Sequence, residues 1–577
     1  MKKLTVLLLL AIMLSLSVLF QSPLLAHASS SLPLAKFNTV QIAYTSGTPY
    51  EQAVDTSPLH NATMIDSGLY TSSPTGLVFS TTNYWSTNNF VGNYSIVNGC
   101  GDEDNMGSYS GNGSYYSGFF LCNSGLFAGG WTLIKSQSDN GSPFVRTNGV
   151  IFANNQAFNT TSGSTVYPCD YFLDLPRIIG DKAPGSTWVY VTLITDFATT
   201  PNAAPNCNAG QGVAFGASSD GANTYPIRTA LIAPQISSYG FHPLAVTTNS
   251  TIYLTGTDSS ACGSGGGQAV YKSTNHGSSW TSSCVAQQVT NLNIGPDSIA
   301  VYGTTTVYSV FRYIFYNNSI SDSHFFVSRS TDAGRTWSTP IQIDGAPHVT
   351  QTLPFILESD GAAAVSANGR LDVAWQDMRN TQTNATRTDI YYVYSFDGVT
   401  FSNATRLTPN GPYNWCSQFG NSNNNSCYTG NDFFGLTESW NSGNYTVYLT
   451  FSRATNSVGG SYYIFLTTIN VADFSISASP ATLPIPHGST KSSTITLTSL
   501  NGFSGTVTLS WSILPVVNHG PSPSLSPTSI TLTSGGQGTS TLTVKTANNT
   551  PRQMYAVTVT ASSGSITHTV TVSVTVS

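Results

Sequence analysis

Apolar and polar residues alternate with a period of two in many short runs of this chain. Residues 37–44 read Phe-Asn-Thr-Val-Gln-Ile-Ala-Tyr, residues 371–375 read Leu-Asp-Val-Ala-Trp, and residues 567–576 read Thr-His-Thr-Val-Thr-Val-Ser-Val-Thr-Val. Successive side chains of a strand point to opposite faces, so this spacing predicts β-strands with one face buried. Gly, Asn, Asp and Ser bound the runs and supply turn geometry. Helix formers are scarce, while Gly, Ser, Thr, Asn, Val and Tyr dominate. The pattern therefore predicts an all-β chain of short strands.

One turn recurs. Ser330-Thr331-Asp332-Ala333-Gly334-Arg335-Thr336-Trp337 has the form S-x-D-x-G-x-T-W. Asp332 can accept bonds from the N–H groups of its own turn, and Gly334 permits a positive φ. Ser273 to Trp280 repeats the form with Asn275 in the Asp place. Looser echoes run from Asp139 to Phe144, from Ser218 to Tyr225 and from Ser395 to Phe401, and the faintest lies at Ser80 to Trp85. Self-similarity at this spacing signals a repeat fold. The octet resembles the Asp-box of sialidase-like (BNR repeat) β-propellers, where it is a structural staple away from the active site.

The resemblance implies blades of four strands, A to D from the axis outwards. Units fall at 51–97, 102–152, 170–232, 242–289, 297–343 and 358–407, and a last one starts near 432. That last unit has three strands, and residues 37–44 have no neighbour of their own. Supplying the missing outer strand would close the ring and leave no raw edge. A seven-bladed β-propeller over residues 37–470 is expected, with six blades as the alternative. From residue 473 to 577 Thr/Ser/Val alternation fits an immunoglobulin-like β-sandwich. Asp473-Phe474-Ser475-Ile476 and Ser499 to Gly505 resemble the Ig-like modules of secreted prokaryotic proteins.

Composition narrows the setting. Of the 577 residues 8% are charged, the net charge is −6, and no basic stripe occurs, which argues against nucleic acid. Residues 1–28 read as a secretory signal: Lys2 and Lys3, an apolar run over 4–20, and Ala26-His27-Ala28 as the cleavage site. An uncleaved anchor is the alternative; no later stretch is long and apolar enough to span a bilayer. Eight cysteines follow, and their grouping suggests Cys100–Cys122, Cys169–Cys207, Cys262–Cys284 and Cys416–Cys427. Sequons at Asn61, Asn93, Asn112, Asn159, Asn249, Asn317, Asn384, Asn403 and Asn444 read either as a glycosylated surface or as chance in an Asn/Ser/Thr-rich chain.

Candidate chemistry gathers on one face. In a propeller the D-to-A and B-to-C connections share the top, and the A-to-B and C-to-D turns share the bottom. Three of the cysteine pairs would staple top loops; Cys262–Cys284 fits less well, because Cys284 follows a bottom turn. Acids stand near the starts of most inner strands: Glu51, Asp102, Asp104, Asp170, Asp297, Asp360 and Asp432, with His242 in blade four. They would ring the channel mouth and hold sugar hydroxyls or a cation such as calcium, or else simply cap turns. No motif demands a cofactor. Arg312, Arg379 and Arg453 end neighbouring B strands, with Asp377 beside Arg379. The sialidase resemblance implies three arginines on a substrate carboxylate, a Tyr–Glu pair as nucleophile and an Asp acid/base. The F/Y-R-I-P signature is absent; Phe144-Val145-Arg146 and Leu175-Pro176-Arg177 stand nearest to it, and Glu438 is the Glu candidate.

Three functions fit. The first is a secreted or cell-surface, non-catalytic propeller that recognises an extracellular glycan or protein through its stapled top face. The second is an exo-sialidase-like glycoside hydrolase. The third is an envelope or adhesion component.

Overall fold

The computed structural model describes residues 26–27, 32, 35–45, 49–70, 75–83, 89–95, 99–100, 107–121, 130–140, 143–169, 174–201, 207–232, 238–263, 265–288, 292–317, 320–345, 358–377, 379–380, 387–408, 413–414, 435–441, 444–454 and 462–577. The described chain is nearly all strand. Its first part forms a β-propeller of seven antiparallel units. Blade one comprises Pro49–Thr56, Met64–Tyr70, Thr75–Thr81 and Asn89–Ser95, and blade four comprises Ser238–Val246, Ile252–Thr257, Gly267–Ser273 and Thr281–Gln287. Blade five runs from Leu292–Tyr302 through Thr306–Asn317 and Ile320–Ser330 to Ile341–Gln342. Blade six runs from Glu358–Val365 through Leu371–Asp377 and Arg387–Ser395 to Thr405–Arg406. Inner strands of all seven units meet at one axial space, which is bordered by Ala53, Gly107, Ile178, Leu244, Ile299, Ala363 and Leu436.

The ring closes with the N-terminal strand. Lys36–Thr45 runs antiparallel to Tyr462–Asn470, with Phe37 opposite Ile469 and Tyr44 opposite Tyr463. The last unit, Gly435–Asn441, Asn444–Ala454 and Tyr462–Asn470, thus gains its fourth strand from the other end of the propeller. Blades bury what they cannot shield alone. Trp131 and Trp375 are fully buried. Phe325 of blade five packs on Trp375 of blade six with ring centroids 5.5 Å apart. A Cβ on Gly361 would stand 2.5 Å from the Phe325 ring, so the blades approach this closely only because that position is glycine.

Four C-to-D turns share one bonding scheme. In blade five Ser330 Oγ donates to Asp332 Oδ1 (2.8 Å) and accepts from Gly334 N (2.9 Å). The N–H groups of Arg335 and Thr336 donate to Asp332 Oδ1, and Thr336 Oγ1 donates to Oδ2. These bonds hold the Asp332 carboxyl well below its ordinary pKa. Ser273 with Asn275, Ser218 with Asp220 and Ser395 with Asp397 repeat the scheme. The Asp139 echo differs. Its carboxylate takes Ser57 Oγ and His60 Nδ1 of blade one, so it ties two blades together.

Two features depart from the sequence reading. Residues 158–168 form a hairpin, Phe158–Thr160 and Thr165–Pro168, that extends blade three beyond the unit expected at 170–232. Cys284 lies opposite Ala269, near the start of its C strand, which places it toward the top, and it bonds Cys262 in the B-to-C loop. The bridge therefore does reach the top side, because the D strand runs upward from its bottom turn. Cys169–Cys207 is also formed. Cys122, Cys416 and Cys427 lie outside the described residues, as does the side chain of Cys100.

Residues 473–576 form a two-sheet sandwich. One sheet has the order Asp473–Ser479, Thr490–Leu500, Gln537–Lys545, Ser522–Ser526; the other has Thr482–Ile485, Ile566–Val576, Met554–Ser563, Gly505–Leu514, Ser529–Leu532. Its core joins that of blades six and seven, where Phe474 and Leu497 share a cluster with Tyr392 and Leu449. Asp473 fastens the junction: His568 Nε2 lies 2.6 Å from its Oδ1, and Asn368 Nδ2 of blade six donates to Oδ2 at 3.0 Å.

Candidate functional site

The arginines singled out from sequence are held by the protein itself. Arg312, on the B strand of blade five, donates Nε to Asp297 Oδ2 at 2.8 Å. Gly361 N of blade six donates to the other oxygen, and the guanidinium lies 5.7 Å from the Phe325 ring centre. Asp297 is fully buried. A register shift falls at its position, between Pro296 and Ser298. Burial pushes its carboxyl above the ordinary range, with the Arg312 charge opposing.

Arg379 is engaged in the same way. Its Nε and Nη2 donate to Asp377 Oδ2 at 2.8 and 2.5 Å, Nη1 donates to the Asp344 carbonyl, and the guanidinium stacks 4.2 Å from the Tyr391 ring centre. Asp377 also accepts from Trp375 Nε1. Behind them lie polar groups that sequence reasoning missed. His324 Nδ1 is 2.7 Å from Asp344 Oδ2, and Asp389 accepts from Arg406, Asn380 and Thr408. Arg453 lies on the B strand of blade seven, but its side chain is outside the described set. Asp102, Asp104, Asp170 and Asp432 are outside the described residues, as are the side chains of Glu51 and Asp360. Among the described residues no group of three or more His, Cys, Asp or Glu is placed to hold a metal. His242 borders the axial space and bridges to Ser298 of blade five.

A cavity of about 850 Å³ lies on the axis, bordered by inner strands and the A-to-B turns that follow them. Its wall holds an ion pair. Asp55 of blade one accepts Lys182 Nζ, Ser108 Oγ (2.9 Å) and Tyr109 N (2.8 Å), so one carboxylate ties blades one, two and three. Ser366, Glu438 and Tyr445 also border it. Glu438 Oε2 is sealed from solvent and meets no hydrogen-bond partner among the described residues. Burial and the neighbouring Asp372 push the Glu438 carboxyl well above its ordinary value, against the pull of Arg370. Arg370 is itself spent on Asp372, donating Nε to both oxygens at 2.9 and 3.0 Å. Glu438 therefore borders a cavity whose other walls carry the Asp55–Lys182 ion pair, hydroxyl-bearing side chains, the Asn61 amide and apolar groups. Its partners come from another blade, and no local motif announces them.

No protein-family model matches the sequence, and no curated protein matches it either. Similar solved structures include a protein of unknown function from Dyadobacter fermentans, at 14% identity and TM-score 0.36, covering 64% of this chain and 94% of that one. A GH43 protein mutant from Bacillus licheniformis has 13% identity and TM-score 0.31, covering 81% and 88%. An oligogalacturonate lyase from Vibrio parahaemolyticus has 8% identity and TM-score 0.37, covering 77% and 98%. At such identities and scores no ligand and no reaction carries over to this chain.

Proposed function

We propose that this is an exported, non-catalytic propeller that binds a neutral saccharide in its axial cavity. The observation that carries the reading is the cavity itself. Its volume of about 850 Å³ falls in the range of small-molecule sites, and hydroxyl- and amide-bearing side chains line it beside the Asp55–Lys182 ion pair. Hydroxyl and amide groups donate as well as accept, which suits sugar hydroxyls. The two formed disulfides and the signal-like N-terminus support export. Among the described residues no helix is long and apolar enough to cross a membrane.

The cavity lies toward the A-to-B turns, whereas the sequence favoured the top face, much of which lies outside the described residues. Against a sialidase-like hydrolase stands the state of Arg312 and Arg379. Each is already committed to a carboxylate of its own, so neither offers a free fork to a substrate carboxylate.

The test is calorimetry of the mature protein with cello-, malto-, xylo- and chitotetraose, run beside Thr248→Trp, which fills the cavity rim from an exposed position. At least one sugar is expected to bind the parent and not the variant. Fluorogenic glycosides, including a sialoside, are assayed in parallel with Arg312→Ala, Arg379→Ala and Arg453→Ala. Turnover by the parent that those changes abolish would replace this reading with the hydrolase.

A further inference from the structure

A second cavity, of about 470 Å³, lies between the C-to-D turns of blades four and five. Lys272, Trp280 and Ser282 of blade four border it, as do Ala333 and Arg335 of the blade-five turn. Lys182, Arg312, Arg370, Arg379 and Arg406 each close on a carboxylate. Lys272 and Arg335 do not: among the described residues neither has an acidic partner, and no acid borders the cavity. The adjacent carboxylate, Asp332, is spent on the N–H and hydroxyl groups of its own turn.

The walls are held in place. Lys272 Nζ donates to the Ala333 carbonyl at 3.2 Å, across the two blades, and lies 5.9 Å from the Tyr253 ring centre, leaving two N–H bonds to spare. Trp280 Nε1 donates to Gly277 O and Thr229 Oγ1, both at 3.1 Å, which fixes the indole. Ser283 Oγ donates to Gly334 O and accepts from Trp337 Nε1. Two cations without an acidic partner among the described residues, a fixed indole and hydroxyl-bearing side chains in one concavity match a sugar ring that bears an anionic group. The cations take the carboxylate or sulfate, the indole takes the apolar face of the ring, and Ser and Thr take hydroxyls.

We propose that the cleft between the blade-four and blade-five turns is a subsite for an acidic saccharide, gripped by Lys272 and Arg335. It stands on observations separate from the axial cavity, although C-to-D and A-to-B turns share one face of the propeller.

Calorimetry of the full mature chain with three probes tests it: a hyaluronan tetrasaccharide (carboxylate only), a κ-carrageenan tetrasaccharide (sulfate only) and cellotetraose (neutral). At least one acidic probe should bind about tenfold or more tightly than cellotetraose, the scale of one charge-assisted contact, and should weaken with salt. Lys272→Gln with Arg335→Gln should remove that advantage while thermal unfolding stays that of the parent. Thr248→Trp should leave it intact, which separates this site from the axial one. Which acid binds decides between carboxylate and sulfate recognition. Binding of neither acid, equal binding of all three probes, or an acid affinity unchanged in the double variant overturns the proposal.

Discussion

In the propeller, charges sit between blades. Arg312 lies on Asp297 and Arg370 on Asp372, His324 is against Asp344, and Asp55 joins three inner strands through Lys182, Ser108 and Tyr109. In the sandwich, residues 473–577 carry only Asp473, Lys491, Lys545 and Arg552 as charged side chains, and the core between its sheets is aliphatic and aromatic. Its outer faces are rows of hydroxyls, such as Ser477 opposite Thr496 opposite Thr539, and Thr508 opposite Ser562 opposite Thr567. The difference follows from geometry. Two sheets that face each other match pleat to pleat and seal a dry layer. Blades radiate from an axis, so their edges converge on turns and strand ends whose backbone and polar groups need partners. Buried ion pairs add little net stability over apolar packing, but breaking one is costly. On this comparison the propeller is the region whose stability depends on charge and pH.

The largest effect expected is from Arg370→Ala. It strands Asp372 in a fully buried position beside Glu438 and frees the Tyr445 carbonyl that Arg370 Nη1 now holds. Loss of about 3–5 kcal/mol is expected in the propeller's unfolding transition by urea denaturation, with the sandwich transition unmoved. A loss below about 1 kcal/mol would mean that the pair is dispensable and that the propeller, like the sandwich, is held by apolar packing alone.

Leu542→Ala is the matching cut in the sandwich. Leu542 is fully buried between the sheets. Removing it costs about 2–5 kcal/mol through lost burial and the cavity left behind. The loss should be the same at pH 5 and pH 8, because no ionisable group is uncovered in the core. Calorimetric scans at both values check this, and a pH-dependent loss would remove the contrast between the two regions.

Glu438 gives the contrast its sign. Its carboxyl is raised in the fold, so between the ordinary Glu value of about 4.3 and the raised one the folded state holds a proton that the unfolded chain has released. The stability from the neutral form is complete below the unfolded value and is lost as pH rises through that window. The slope is at most one proton, about 1.4 kcal/mol per pH unit. Glu438→Gln keeps the shape without the titration. Its propeller transition should match the parent near pH 4 and exceed it at pH 8. A variant that tracks the parent at every pH would place the charge-sensitive group elsewhere.

The parts legible in the sequence are those with local causes. Period-two alternation marks strands, and Ser330, Asp332 and Gly334 mark a turn because all their bonds close within it. The unpartnered run at 37–44 and the short last unit point to each other because an open ring leaves edges unpaired. The sites were not legible for the opposite reason. Asp55 finds Lys182 two blades further along the chain, and Glu438 meets Arg370 only after blades six and seven come together.

The smallest test compares one hydroxyl from each region. Ser330 is fully buried, and its Oγ accepts from Gly334 N and donates to Asp332. Ser330→Ala should cost about 1 kcal/mol, the net worth of a buried hydrogen bond plus the penalty of an orphaned N–H. Thr541 stands exposed on the hydroxyl face of the sandwich, opposite Thr494 and Ser526. Thr541→Ala should stay within about 0.5 kcal/mol, as for other surface positions. The two changes remove the same group, and only the first leaves a backbone donor without a partner. Equal losses in the two transitions would mean that the sandwich hydroxyls are as structural as those of the turns. The rows of Ser and Thr would then owe their place to cross-strand bonding, such as that between Thr558 and Thr571, and not to solvation of an uncharged face.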